Sequence, residues 1–211
     1  YSVHVEIWYY FKLEGDKYRV VQVFGKDKEI GLQKIQIIIA NSEGTVDSIK
    51  EYNINPTLIA NADFKNWDGA SLNDIPISGG TKKIEINGDG TKATDTYFTT
   101  DPKTNEKTVT KTEITTITST STTIETSKTA YFYKGKEITK AKYDELVKEG
   151  KNPPEPIENF PTSKIVEERD SDGKLTYVIT YTYDTIFIDN KPVRTWEATK
   201  VDQTNGKIEE F

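Results

Sequence analysis

The N-terminal residues run at period two. Tyr1, Val3, Val5, Ile7, Tyr9, Phe11 and Leu13 fall on one parity, and Ser2, His4, Glu6, Trp8, Tyr10 and Lys12 on the other. Only an extended backbone sends successive side chains to opposite sides, so a long apolar stripe of one parity commits the segment to a β-strand. The same period returns near the C-terminus, where Leu175, Tyr177, Ile179, Tyr181, Tyr183 and Phe187 alternate with Thr176, Val178, Thr180, Thr182 and Asp184.

Turn chemistry punctuates these runs. Glu14-Gly15-Asp16 separates the first strand from a return strand over 18–24, which predicts a hairpin. An Ile-rich run follows over 34–40. From 41 to 80 the pattern weakens, and the reading is mostly loop with at most one short strand. Asn87-Gly88-Asp89-Gly90 sits between two strand-like runs and is a strong hairpin signal. Strands are also predicted over 165–168 and 193–201, with a last short strand ending at Phe211. A single helix is predicted after Tyr131-Phe132-Tyr133. Thr139 is its N-cap, Ile138 staples against Tyr143, Tyr143, Leu146 and Val147 share a face, and Gly150 closes it. The expected fold is all-β, an antiparallel β-sandwich of Ig-like or jelly-roll-like character with long hairpins and one short α-helix near 140–149. The expected organisation is one elongated β domain over 1–211. Pro153, Pro154, Pro156 and Pro161 mark 151–162 as the place where it would divide into 1–150 and 163–211.

Threonine dominates the stretch from Thr91 to Thr129. The even positions Thr108, Thr110, Thr112, Thr116, Thr118, Thr120 and Thr122 form a ladder that runs on through Ile124 to Thr126. β-Branched Thr favours the strand because its χ1 is already restricted. The reading is one very long strand, or two with a bend near 119–121. The Thr-x-Thr pattern resembles the ice-binding face of some antifreeze proteins. Those repeat it on successive short coils, whereas here it runs along the strand. The plainer reading is a solvent-facing strand that stays soluble.

Composition narrows the chemistry. Hydrophobic residues are 34% and aromatics 11%, with 12 Tyr, which suits thin sheets whose Tyr bodies are buried and whose hydroxyls stay wet. Net charge is −6, and Arg19, Arg169 and Arg194 are the only arginines, so the donors that read phosphate and base edges are scarce and nucleic-acid binding is disfavoured. No apolar run approaches the length of a membrane-spanning helix. Cys and Met are both absent, which favours an extracellular or cell-surface protein whose signal peptide has been removed.

No catalytic signature emerges. His4 is the sole histidine, no Gly-x-Ser-x-Gly elbow and no phosphate-binding Gly-rich loop exists, and the expectation is that the chain is not an enzyme. No cofactor is expected. Calcium is the one metal the loop chemistry admits, at Asp63, Asn66 and Asp68, with Asn87 and Asp89 as a second oxygen-rich loop. The same residues also serve turns for backbone reasons. Trp8, Tyr10 and Trp67 are candidates for stacking on sugar rings.

Two functions of different class fit. One is the subunit of a cell-surface filament or surface assembly that polymerises head-to-tail with copies of itself by β-strand addition. Its donor strand would be the stripe Val3, Val5, Ile7, Tyr9, Phe11 and Leu13. The other is a monomeric adhesin, a carbohydrate-binding module or a viral fibre domain that meets a glycan or host surface.

Overall fold

A computed structural model describes residues 4–27, 31–88 and 90–211. The protein is all-β, with two antiparallel sheets and one short helix, an architecture consistent with a β-sandwich. In chain order the strands are β1 (Val5–Lys12), β2 (Lys17–Phe24), β3 (Gln33–Asn41), β4 (Val46–Ile54), β5 (Ile75–Ile77), β6 (Gly80–Asn87) and β7 (Gly90–Thr100). They continue with β8 (Lys107–Thr118), β9 (Ser121–Tyr133), β10 (Lys136–Ile138), helix α1 (Lys140–Lys148), β11 (Ile157–Arg169), β12 (Leu175–Ile188), β13 (Lys191–Asp202) and β14 (Ile208–Glu210). The chain divides into two compact units, Tyr1–Ala93 and Thr94–Phe211. The proline-rich segment lies inside the second unit.

The first unit holds a four-stranded meander in the order β1-β2-β3-β4. Period two decides which side chains leave water. Val21 and Val23 of β2 and Ile35 and Ile37 of β3 are buried, while Val20, Gln22, Gln36 and Ile38 between them stay partly exposed. Ile54, Leu58, Ile59, Phe64, Trp67, Ile75, Ile77 and Ile84 supply the remaining large buried hydrophobic side chains of this unit. Gly69 lies close over Ile37. It sits at φ 74°, and a Cβ there would come within 3.0 Å of Ile37 Cδ1, so the loop needs glycine at this point.

The segment 41–80, expected to be mostly loop, contains the nine-residue strand β4, a 3₁₀ turn at Pro56–Ile59 and β5. β4 escapes pattern reading because a register shift separates Ser48↔Ile39 from Val46↔Ala40. The extra residue puts Val46, Ile49, Tyr52 and Ile54 at spacings that no single parity explains.

The second unit takes in most of β7 and runs β7-β8-β9-β11-β12-β13-β14, with β10 on β9. Few of its side chains are fully buried. Ala130, Phe132 and Phe160 cluster, with Ile157 packed against them, and Leu146, Ile179 and Ala198 are buried elsewhere. Cross-strand pairs supply much of the contact. Lys164 lies 3.5 Å from Glu125 and 5.0 Å from the Tyr181 ring centroid, both its direct neighbours across the ladder. Lys200 lies over the Tyr177 ring at 4.1 Å. Such pairs contribute about 0.2–1 kcal/mol each, and several in series hold a thinly buried sheet. Pro161 is accommodated inside β11 because register shifts relieve the ladder on both sides of it.

The helix begins as its sequence predicts. The Thr139 hydroxyl accepts the Lys142 N–H at 3.1 Å, and Gly150, at φ 71°, ends it. Leu146 is buried and Tyr143 packs 5.1 Å from Tyr131, but Val147 is 53% exposed and leaves the packed face.

These burials make a testable contrast. Ile35→Ala, at a fully buried position, is expected to cost about 2–5 kcal/mol in urea unfolding. Ile49→Ala, on the outer side of the same sheet and 51% exposed, is expected to cost under about 0.5 kcal/mol. Equal losses would contradict the assignment of the two faces.

Candidate binding face

β1 lies at one edge of the four-stranded sheet and pairs with β2 from Lys12↔Tyr18 to Ile7↔Val23. Over Ile7–Phe11 the odd side chains lie on the core side. Tyr9 packs its ring 4.9 Å from Phe64, and Phe11 stands opposite the buried Arg19. The predicted apolar stripe is not continuous, however. A register shift between Val5 and Ile7 places Val5 opposite Phe24, which lies on the other face from Val23. Ile7 keeps 46% of its surface exposed and Leu13 is half-buried, while Val3 lies outside the described residues.

The even side chains build a different surface. Trp8 is 61% exposed and Tyr10 65%, and both point away from the core. Direct pairing extends each into a row across the sheet. One row is Trp8, Gln22, Gln36 and Glu51; the next is Tyr10, Val20, Ile38 and Ile49. Tyr18, in the row beyond, packs its ring 5.3 Å from that of Tyr10. Gln36 Nε2 donates to Glu51 Oε1 at 2.7 Å, and Lys34 Nζ reaches the same oxygen at 4.0 Å. The aromatic rings of Trp8, Tyr10 and Tyr18 therefore lie beside amide and carboxylate groups on an exposed face. The outward directions of Gln22, Gln36 and Glu51 follow from register, which the sequence does not display.

Trp67, the third aromatic expected to meet sugars, is buried. It stacks 5.7 Å from Tyr52, its indole N–H donates to the Ser71 carbonyl at 3.0 Å, and 3% of its surface is exposed. It organises the loop over the core rather than facing solvent.

The same loop holds the residues read as calcium ligands. Asp63 accepts the Lys65 N–H at 3.1 Å and the Asn66 side-chain amide at 2.5 Å. Asp68 accepts the Ala70 N–H at 2.8 Å. Beneath them Arg19 donates to the carbonyls of Phe64 and Lys65. Burial lowers the Arg19 pKa from its ordinary value, and the carboxylates of Asp68 and Asp63 oppose that shift. The charges of both acids thus act on this guanidinium. Among the described residues no group of three His, Cys, Asp or Glu side chains is placed to hold a metal. Asp89, the second half of the other oxygen-rich loop, lies outside the described residues.

The Thr ladder divides at a hairpin. Pairing of Ile117 with Thr122 and Thr116 with Thr123 makes 118–121 a tight turn, closed by the Thr118 and Ser121 hydroxyls at 3.0 Å. Thr108, Thr110, Thr112, Thr116 and Thr118 share one side of β8. Thr120 sits in the turn, and Thr122, opposite Ile117, points to the other face. The turn breaks the parity that made the ladder look continuous. Thr108 and Thr110 line an open groove of about 700 Å³ in the second unit, with Lys128, Lys140 and Lys142 at its wall. Each of those lysines meets an acid, Glu137, Asp144 and Glu145 respectively.

No protein-family model, curated protein or solved structure matches the chain. Among the described residues no helix is long and apolar enough to cross a membrane.

Two expectations follow. Thermal unfolding with added calcium and with EDTA is expected to coincide; a calcium-dependent rise in Tm would overturn the assignment of Asp63 and Asp68 to turns. Burial and the Asp68 charge raise the Tyr52 pKa, and its hydroxyl donates to the Gly69 carbonyl. A phenol with a raised folded pKa adds stability that is complete below about pH 10 and is lost as pH climbs through the folded value. Tyr52→Phe should therefore flatten part of the alkaline decline in denaturant-measured stability; an unchanged slope would contradict it.

Proposed function

We propose that this is an extracellular, cell-surface binding module whose four-stranded sheet meets a neutral glycan through its outer face. The observation that carries this reading is the adjacency of Trp8, Tyr10 and Tyr18 to Gln22, Gln36 and Glu51 on one exposed surface. The apolar C–H face of a pyranose stacks on an aromatic ring, while its equatorial hydroxyls need donors and acceptors at the rim. Trp8 and Tyr10, two residues apart on one strand face, stand about 7 Å from each other. That spacing lets one extended chain touch both rings. Glu51 accepts hydroxyls, Gln22 offers both functions, and Lys34 beside Glu51 leaves the rim near neutral. An open face with two rings in line along one strand also suits an extended polysaccharide better than a small free sugar.

The filament reading keeps one observation in its favour, which is that β1 is an edge strand with an open side. Against its donor-strand form, β1 is seated in its own sheet, and the stripe it would donate is interrupted at Glu6.

Retention of the full chain on insoluble cellulose and chitin, with a neutral-glycan array beside it, tests the proposal. Trp8→Ala and Tyr10→Ala are each expected to lose about 0.5–1.5 kcal/mol, roughly two- to tenfold in Kd, with folding intact by circular dichroism. No retention and no array signal by the parent chain, or retention that both variants preserve, would overturn it.

A further inference from the structure

We infer that the open edge of β1 pairs with β1 of a second copy about a two-fold axis at Tyr9, giving a closed dimer in which two four-stranded sheets become one. Backbone direction sets up this edge. The Leu13 N–H donates inward to the Lys17 carbonyl, so on this side of the register shift Ile7, Tyr9 and Phe11 turn their N–H and C=O groups toward β2. Trp8, Tyr10 and Lys12 turn theirs outward, along a side with no neighbouring strand among the described residues.

Sequence complementarity selects both the occupant and the register. A two-fold axis through Tyr9 sets Trp8 opposite Tyr10, Ile7 opposite Phe11 and Lys12 opposite Glu6, each twice. Trp8 and Tyr10 then form the hydrogen-bonded pairs, which is the phase their outward groups require. Glu6, at the register shift that ends the regular part of the ladder, stands beside Lys12 of the second copy. Moving the axis by one residue loses the charge match. About Trp8, Glu6 meets Tyr10 and Lys12 meets His4; about Tyr10, Glu6 meets Glu14. The opposite edge of the sheet behaves differently. β4 carries Asp47, Lys50 and Glu51, charges of the kind that discourage edge pairing, whereas the charges of β1, Glu6 and Lys12, flank an uncharged Ile7 to Phe11 and match across the axis.

An axis perpendicular to the sheet preserves its faces. Trp8 and Tyr10 of both copies therefore come together on the outer side as one aromatic cluster astride the seam. An isologous contact of this kind closes on itself and does not propagate. A single short strand pair buries little area, so the dimer forms and dissociates readily with concentration.

Sedimentation velocity of the full chain over a range of concentrations tests the inference without any glycan, so its outcome is separate from that of the glycan reading. The parent chain is expected to shift from monomer to dimer as concentration rises. Glu6→Lys and Lys12→Glu, both at exposed positions, should each weaken the dimer by about tenfold or more by setting like charges across the seam. The double variant should recover the parent affinity. Circular dichroism of each variant establishes that it folds. A monomer at every concentration, open-ended growth, or a dimer indifferent to both single swaps would overturn the inference, as would failure of the double swap to restore it.

Discussion

The first unit depends on one constraint, that Val21, Val23, Ile35 and Ile37 leave water together. Each such side chain contributes about 1.5–3 kcal/mol on burial, more than any surface contact in the unit can offer. Because a strand alternates, burying these four fixes Val20, Gln22, Gln36 and Ile38 on the other side. The pairing register then carries the same division outward to Trp8 and Tyr10 on β1 and to Ile49 and Glu51 on β4. The exposed aromatic face is thus the obligatory reverse of the core. The loop over the core is held by the same logic. Arg19, on the buried parity of β2, spends its guanidinium on the Phe64 and Lys65 carbonyls, and those contacts seat Phe64 and Trp67.

The second unit is organised on other terms. Its strands are long, its buried set is small, and both faces of β12 carry Tyr or Thr that remain partly wet. Long cationic side chains lie along aromatic neighbours, as Lys164 does on Tyr181, Lys200 on Tyr177 and Arg194 on Phe160. Arg194 also donates to the Pro161 carbonyl at 2.8 Å, tying β13 to the irregular part of β11. Where a core would fix register through exclusion of water, here it is fixed by matched pairs and by turns such as Asp189-Asn190, whose positive φ values suit a tight hairpin.

Much of this was legible in the residues. The hairpin announced by Glu14-Gly15-Asp16 is present, as is a helix capped by Thr139 and closed by Gly150. Most of what escaped has one physical cause: a single inserted residue or a tight turn reverses parity. The shift at Glu6 divided the apolar stripe, the one near Asp47 hid β4, those around Pro161 let the end of the proline-rich segment serve as strand, and the turn at 118–121 split the Thr ladder. Period-two patterning says that a face exists, not which strands share it. Trp8 and Tyr10 were visible as aromatics on a strand. Their grouping with Tyr18, Gln22, Gln36 and Glu51 depends on cross-strand register, and the burial of Trp67 on contacts with Tyr52 and Phe64 distant in sequence.

The central claim is that the outer face of the four-stranded sheet is where this protein meets its ligand. Oxidative footprinting of the chain, free and bound to an insoluble polysaccharide that retains it, addresses this directly. The account predicts that Trp8, Tyr10 and Tyr18 are oxidised rapidly in the free protein and protected on binding, while Trp67 is slow in both states and Trp196, 51% exposed in the second unit, is unchanged. Protection centred on Trp196, with Trp8 and Tyr10 still reactive, would contradict it.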